Sequence, residues 1–388
     1  MAKKAYIGVN GVARKVKAGY IGVDGVARKI KKAYIGIGGV ARPCWSGGQV
    51  TYYGTVSSLS VARSKIAGAS VGNYAIFAGG EYYDSNYDRR MCDTVDAYNE
   101  SLTHRTLTRL QQARSYMAST SNNTNALFTG GITGLDGDAF YSSNVDAYNA
   151  SLTRTIPADL QLSRIDHAGA CIGTFAVFAG GYVINNGNYY STDALDAYSE
   201  QLVKTTPNTL SVARKNLAAA RVGNYALFAG GNNQYSVDAF NDSLVRTTIN
   251  ELFADTRYAH YLCGASIGNN AIFLVYDCID IYDASLTHRY IDGYATARHQ
   301  GRVSVELDDF ALFADDTDNG SKEIEVVDTS LTYSLLDGLS IQRAGMAAAA
   351  AGKYAIFAGG ECADYISDGD EIIETAWSDD TVDVFTVI

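Results

Sequence analysis

The chain has 388 residues, 47% hydrophobic and 19% charged, enough apolar material for a sizeable core and too much for wholesale disorder. Glycine (38) against proline (3), and tyrosine (28) against phenylalanine (13), point to an all-β chain with many tight turns and a wet, aromatic surface. The net charge is −11, and no apolar run approaches the ~20 residues of a membrane-spanning helix, so no membrane span is expected.

The charge is unevenly divided. Residues 1–45 carry ten Lys or Arg and one acid, Asp24, for a net +9, while the remainder carries 21 basic and 41 acidic residues, for −20. An acidic body argues against nucleic acid, since phosphate binding relies on clustered Lys and Arg. A basic arm on such a body suggests attachment to an acidic partner surface, against the plainer reading of a solubilising face. The start of the chain shows no apolar leader, and Cys44, Cys92, Cys171, Cys263, Cys278 and Cys362 show no CxxC pair or metal spacing. Reduced thiols in a protein made in a cytosol are therefore expected.

Residues 5–43 repeat with a period of 14: AYIGVNGVARKV, GYIGVDGVARKI, AYIGIGGVARP. Asn10-Gly11, Asp24-Gly25 and Gly38-Gly39 supply the positive φ angles of two-residue primed turns, so each unit reads as a β-hairpin, with Val9 opposite Val12 and Tyr6 opposite Lys15. A lone hairpin is marginal in water, so three in tandem must pack on each other or on a partner. Residues 1–48 thus read as an attachment module, with Lys15, Lys29 and Lys32 as its contact residues.

A second repeat fills the rest. LSVARSKIAGASVGNYAIFAGG begins at Leu59 and recurs in variants from Leu110, Leu160, Leu210 and Leu339, with two degenerate copies around Arg257–Phe273 and Arg298–Phe313. A second signature follows each copy: VDAYNESLTHRT from Val95, then from Val145, Leu195, Val237 and Ile279, with shortened versions at Val327-Asp328 and Val382-Asp383. Seven units of 41 to 51 residues, each holding four short β-prone runs, are what a β-propeller blade requires. The first run is small and apolar, as an innermost strand near a crowded axis should be. The second ends in Gly-Gly.

These residues resemble the kelch family, whose repeat has an Arg before strand one, a Gly-Gly closing strand two and a Tyr on strand three. The matches are Arg63, Gly79-Gly80 and Tyr98 in the first copy and their counterparts in four others, over about 330 of 388 residues. The chain departs from the family in lacking its Trp, where Arg105, Thr155, Thr205, Thr247 and Arg289 stand, and in replacing the glycine pair by Val275-Tyr276 and Asp315-Asp316. The resemblance implies a seven-bladed kelch-like β-propeller over residues 49–388 behind the N-terminal β-hairpin repeat module. The last copy ends after its third strand, so residues 51–56, spaced from Leu59 as Thr103–Leu107 are from Leu110, should complete blade seven and remove an exposed edge.

The recurring Arg and Asp (Arg63 with Asp96, Arg114 with Asp146) start strands one and three on one face and read as structural pairs, since catalysis needs unique residues. His104, His167, His260, His288 and His299 lack metal-ligand spacing, and His104 and His288 fall at equivalent positions of different units. Some kelch-like propellers are copper oxidases, but no matching constellation is found here. Asp316, Asp318, Gly320 and Glu323 suggest a calcium loop, against which the short spacing and Lys322 favour a solvated acidic loop. No catalytic set, cofactor or metal is expected.

The connections between strands two and three are rich in Tyr, Asn and Asp and should emerge on one face. Rigid rings and short polar groups suit adaptable recognition, including sugars with apolar faces and hydroxyl edges. The candidate ligand-binding residues are Tyr83, Tyr87, Arg89, Tyr189, Tyr190, Asn233, Tyr235 and Trp377. The YIGVNGVARK-type units resemble short repeats of structural proteins of bacteriophages and prophages. That resemblance implies a non-enzymatic virion protein assembled in the host cytoplasm. Its arm would dock on other virion proteins or on copies of itself, and its propeller would bind a host-surface glycan or protein. The alternatives are a bacterial cytoplasmic kelch-type interaction module and a glycan-acting propeller enzyme.

Overall fold

The computed structural model describes residues 48–388 except 135–139, 186, 233, 254–261, 276–277, 292–301, 316–321 and 369–370, and before residue 48 it describes six strands. Two compact units emerge, residues 1–51 with 387–388, and residues 52–386. Among the described residues every regular element is a β-strand, and no helix is long and apolar enough to cross a membrane.

The first unit holds three antiparallel hairpins: Tyr6–Val9 with Val12–Lys15, Gly19–Val23 with Val26–Ile30, and Lys32–Ile37 with Val40–Ser46. The first two have the expected register, with Val9 opposite Val12, Tyr6 opposite Lys15 and Tyr20 opposite Lys29. The third shifts between Ala33 and Tyr34, which sets Tyr34 opposite Pro43 and Lys32 opposite Ser46. Proline has no N–H to give a ladder, and a bulge is where a strand accommodates it. The dipeptides Asn10-Gly11, Asp24-Gly25 and Gly38-Gly39 lie outside the described residues.

The second unit is built from seven four-stranded antiparallel sheets. Sheet 1 runs Ala67–Val71, Tyr74–Ala78, Val95–Asn99, His104–Thr106; sheet 2 runs Ala118–Ser121, Asn125–Thr129, Val145–Asn149, Arg154–Thr155. Sheet 3 runs Ala168–Ile172, Phe175–Ala179, Leu195–Tyr198, Lys204–Thr205; sheet 4 runs Ala218–Val222, Tyr225–Ala229, Val237–Asn241, Arg246–Ile249. Sheet 5 runs Leu262–Ile267, Asn270–Val275, Cys278–Asp283, His288–Ile291; sheet 6 runs Arg302–Leu307, Phe310–Asp315, Glu323–Asp328, Tyr333–Asp337. Sheet 7 pairs Ala347–Ala351, Tyr354–Asp368 and Glu371–Val387 with Val50–Thr55, one residue earlier than the expected 51–56. The first strand of each sheet neighbours that of the next, and the first strand of sheet 7 neighbours that of sheet 1. These repeated sheets are consistent with a β-propeller-like fold.

The second strand is apolar on both sides because both sides are covered. Ala75, Ile76, Phe77 and Ala78 have no exposed surface, and the core clusters are shared between neighbouring sheets. One joins Phe77 and Tyr98 of sheet 1 to Ala349, Ile356 and Val384 of sheet 7. The tyrosine of strand three points its hydroxyl at a carbonyl two residues before the repeat's leucine: Tyr98 to Ser57 (2.8 Å), Tyr148 to Thr108 (2.7 Å), Tyr198 to Ala158 (2.9 Å), Tyr282 to Asn250 (2.8 Å). Burial pushes these phenols well above their ordinary pKa.

Among the described residues the recurrent Arg and Asp form ion pairs inside five of the sheets: Arg63–Asp96 at 2.8 Å, Arg114–Asp146 at 2.7 Å, Arg164–Asp196 and Arg214–Asp238 at 2.9 Å, Arg343–Asp383 at 2.8 Å. All ten side chains are fully buried. The arginines at 257 and 298 lie outside the described residues. The second carboxylate oxygen is met from strand four, by His104 (2.7 Å), Lys204 (3.0 Å), His288 (2.6 Å) or, in sheet 7, the hydroxyl of Tyr52 (2.7 Å). Burial alone would raise the Asp96 pKa; Arg63, His104 and Ser60 outweigh it and hold the carboxyl below its usual range. Burial, then the bond to Asp383, pushes Tyr52 up to about 12.

The glycine pair follows from inter-sheet distance. Gly79 has φ +64°, and a Cβ there would lie 2.4 Å from the Arg114 carbonyl of the next sheet. Gly80 donates its N–H to that same carbonyl at 3.0 Å; Gly131 does so to Arg164, Gly181 to Arg214 and Gly360 to Arg63. Sheets 5 and 6, which lack the pair, extend strand two by one residue to Val275 and Asp315.

In sheet 6 the residue opposite Phe313, where Asp96 stands opposite Phe77, is Glu325, so Val327-Asp328 is not the Val-Asp of the other copies. Asp328 instead closes the turn to strand four, accepting the Ser330 and Thr332 N–H groups at 2.7 and 3.0 Å, as Asn99 accepts those of Ser101 and Thr103. That turn forces a left-handed leucine in six copies, Leu102, Leu152, Leu202, Leu244, Leu286 and Leu331, at φ 59–62°. The cost of about 1–2 kcal/mol for such a backbone is offset by packing the side chain into the core.

Removing one member of a buried pair strands a charge, at a cost of about 3–5 kcal/mol. Asp146→Asn should lower the urea unfolding free energy by that amount, and the double variant R114L/D146L should recover part of it. A D146N variant that unfolds at the parent's urea midpoint would show that the pair does not hold sheet 2.

Candidate functional site

Antiparallel pairing places the connection from strand two to strand three at the same end of each sheet as the Arg that precedes strand one. The candidate recognition residues gather at that end. Tyr83, Arg89, Tyr189, Tyr190 and Trp377 stand on paired strands rather than on the open loops expected from the sequence, and Tyr87 lies on a hairpin tip. Glu81–Tyr83 pairs with Arg89–Met91, and Tyr182–Asn185 pairs with Asn188–Ser191. The segment 361–381, expected as a loop, continues as a hairpin in which Trp377 faces Cys362 and Asp368 faces Glu371. Alternating aromatic and β-prone residues, Tyr82-Tyr83 and Tyr189-Tyr190 among them, explain why these stretches pair instead of remaining irregular.

The first hairpin carries Tyr83, Tyr87 and Arg89. Asp84 folds its tip, accepting the N–H groups of Asn86 (2.9 Å) and Asp88 (3.1 Å) and an ion pair from Arg90 (2.8 Å). Tyr87 sits on this tip at φ +63° and is 81% exposed. Arg89 is engaged in an ion pair with the buried Glu81, whose other oxygen accepts Ser115 Oγ at 3.3 Å. Tyr83 donates to Glu361 at 3.2 Å, and Ser64 reaches the same carboxylate at 3.2 Å. Burial and then the Glu361 charge raise the Tyr83 pKa. Glu81 and Glu361 therefore act as struts linking sheets 7, 1 and 2, and Tyr83 and Arg89 belong to the struts.

The second hairpin carries Tyr189 and Tyr190. Tyr189 stacks on Tyr182 at 5.8 Å and meets Tyr141 edge-on at 6.4 Å; Lys215 lies 3.5 Å over the Tyr182 ring, a cation–π contact. Asn232 Nδ2 donates to Ser191 Oγ at 2.5 Å. Tyr189 is 56% exposed, Tyr190 is exposed, and Phe140, which the sequence reading passed over, is 67% exposed. Tyr116 and Trp377 add two more exposed rings. Tyr235 is half-buried against the core shared by sheets 4 and 5, so its ring is structural. Asn233 lies outside the described residues, as do 316–321 of the suspected calcium loop. Lys15, Lys29 and Lys32 fall on the strands of the three hairpins of the first unit.

His167 is a core residue. It is buried at the place held by Ile66, Met117 and Leu217 in other copies, and its Nε2 meets Thr129 Oγ1 at 2.8 Å. Burial and then Arg164 hold its pKa well below the ordinary value, so it is neutral. His104 and His288 serve the buried aspartates, while 260 and 299 lie outside the described residues. Among the described residues no three His, Cys, Asp or Glu side chains are placed to hold a metal ion.

No protein-family model and no curated protein matches the chain.

The two kinds of tyrosine separate by stability. Tyr83→Phe removes a hydrogen bond to a carboxylate and should cost about 1.5–3 kcal/mol, whereas Tyr87→Ala should change stability by less than about 0.5 kcal/mol. Thermal melts of the two variants beside the parent test this. Equal melting temperatures for all three would deny Tyr83 its role as a strut.

Proposed function

We propose that the chain is a non-enzymatic, virion-associated binding protein of a bacteriophage, anchored by its basic hairpin arm and presenting a closed, seven-bladed kelch-like propeller as its head. The observation that carries this reading is the set of exposed rings, Tyr87, Tyr189, Tyr190 and Trp377, carried on hairpins at one end of the sheets, with exposed Phe140 next to Tyr141, which meets Tyr189 edge-on. A ring kept in water on a rigid support contributes little to folding and is ready to bury area against a ligand at low entropic cost. Aromatic faces beside Asn, Asp and Ser suit a glycan or a polar protein surface on a host cell. The arm, at net +9 over residues 1–45, fits an acidic docking surface on a neighbouring virion protein.

Ring closure is supported by two links inside sheet 7, between its N-terminal strand and its C-terminal strand, and by one from sheet 7 to the first copy. Tyr52 bonds Asp383, the Val56 N–H donates to the Val382 carbonyl at 3.0 Å, and the Gly360 N–H donates to the Arg63 carbonyl at 2.9 Å. Deleting residues 1–57 should lower the melting temperature, since loss of the Tyr52 bond to a buried carboxylate alone costs about 1.5–3 kcal/mol. Deleting 1–48 should leave it unchanged. If the two truncations melt together, residues 50–55 do not close the seventh blade.

The recognition face is tested with Tyr87→Ala, Tyr190→Ala and Trp377→Ala, assayed for adhesion to host cells and for melting on the same preparations. Truncating an anchoring ring costs about 2 kcal/mol of binding, roughly 30-fold, with melting unchanged. In the same series, K15E/K29E/K32E should release the protein from particles without altering adhesion, and parent particles should shed it at high salt. Normal adhesion by all three ring variants would sink the recognition face; normal incorporation of the triple variant would sink the arm as an electrostatic anchor.

A further inference from the structure

The first strands of the seven sheets surround a cavity of about 480 Å³, within the size range of small-molecule sites. Two layers of side chains face it. In one, Gly68, Gly169 and Gly264 sit so close to the preceding strand that a Cβ would lie 2.5–2.9 Å from the carbonyls of Ala348, Ser119 and Ala219. This layer is closed to larger residues. In the other, strand pairing aligns Ser70, Ser121, Cys171, Arg221, Ser266, Glu306 and Ala350, each opposite an alanine of its second strand.

This second layer is uneven. Among the described lining residues only Arg221 and Glu306 are charged. They stand on sheets 4 and 6, either side of Ser266 on sheet 5. The Arg221 N–H donates to Ser266 Oγ at 2.9 Å, and the Ser266 N–H donates to Glu306 Oε1 at 2.9 Å. The backbone thus fixes the order cation, hydroxyl, anion along one wall. The Arg221 side chain opens onto the cavity, and no ion pair joins its guanidinium to Glu306. Glu306 also opens onto the lumen while ringed by protein; burial raises its pKa, and Ser266 and Arg221 pull it back.

Two opposite charges held apart across a hydroxyl discriminate between ligands. A lone anion would gain Arg221 and suffer Glu306, and a lone cation the reverse, so each gains little from a wall with no net charge. A molecule with both charges at the matching span satisfies both residues and replaces the water each loses. We propose that the lumen is a binding site for a small dipolar molecule of the amino-acid class, its carboxylate on Arg221, its ammonium on Glu306 and its middle beside the Ser266 hydroxyl. The site lies on a different set of strands from the exposed hairpin rings and stands or falls apart from them.

The test is calorimetric titration of the full chain with the ω-amino acids from glycine to 6-aminohexanoate, beside butyrate and butylamine. One chain length should give saturable heat, with the singly charged compounds at least tenfold weaker. Arg221→Met and Glu306→Gln should each weaken that ligand at least tenfold. Should either variant fold poorly, the wild-type comparison decides alone. No saturable heat from any ω-amino acid, or equal affinity for butyrate or butylamine of the same span, overturns the proposal. So does undiminished binding in a folded variant of either residue.

Discussion

The buried arginine before the inner strands of sheets 1, 2, 3, 4 and 7 is the residue on which their assembly depends. Its side chain reaches sideways to the aspartate of strand three and caps strand-two carbonyls on the way, as Arg63 does with Gly79 (2.8 Å) and Phe77 (3.3 Å). Its main-chain carbonyl faces the other direction and takes the N–H of a glycine in the preceding sheet. One residue therefore joins two sheets through two different chemistries. A buried ion pair is a poor source of net stability, because desolvation consumes most of the Coulombic gain. What it supplies is register. An aspartate shifted by one residue would point to the other side of the sheet and leave the arginine alone in the core.

That dependence explains which neighbours can vary. The aspartate needs a partner for its second oxygen, and His104, Lys204, His288 and Tyr52 all serve, since a hydrogen-bond donor of adequate length is the sole requirement. The glycine pair is fixed wherever the next arginine's carbonyl approaches as closely as it does at Gly79 and Gly359, at 2.4 and 2.6 Å from a would-be Cβ. Where the pair is absent, in sheets 5 and 6, strand two runs through the first glycine's position to Val275 and Asp315.

The Arg-to-Asp pairing, the hairpin register of Val9 with Val12 and the strand that joins sheet 7 were legible because each is a short-range or strictly repeated pattern. Three features were not. The left-handed leucines look like ordinary apolar residues, since nothing in a one-dimensional pattern marks a leucine whose φ is set by an Asn, Asp or Ser three positions earlier. The hairpins bearing Tyr83 and Tyr189 read as loops because their polar tips outweighed the short β-prone runs on either side. Glu325 was missed in favour of Asp328 because an aspartate identical to the motif lay three residues away, and only pairing with Phe313 decides between them. Tyr83, Arg89 and Tyr235 shared their composition with Tyr87 and Tyr190, yet two brace neighbouring sheets and one packs in the core. Composition cannot separate a brace from a contact surface.

The lumen illustrates the opposite limit. Cys171, Arg221 and Glu306 are unremarkable in sequence, each a single departure in a different copy, tens of residues from the others. They become one layer because every inner strand pairs with its second strand in the same register, which sets each of the three opposite an alanine on the inward side. The same constraint keeps the neighbouring inward layer to Gly, Ala and Ser, by bringing the strands within 2.5–2.9 Å of a would-be Cβ at its glycines. A repeat protein built this way has little freedom where its copies agree. Its capacity to acquire a specific ligand is confined to positions where register is enforced but volume is not, and the layer of Arg221 and Glu306 is such a place. The hairpin tips are another, with register enforced at their base by the Glu81 and Glu361 struts and free at Tyr87.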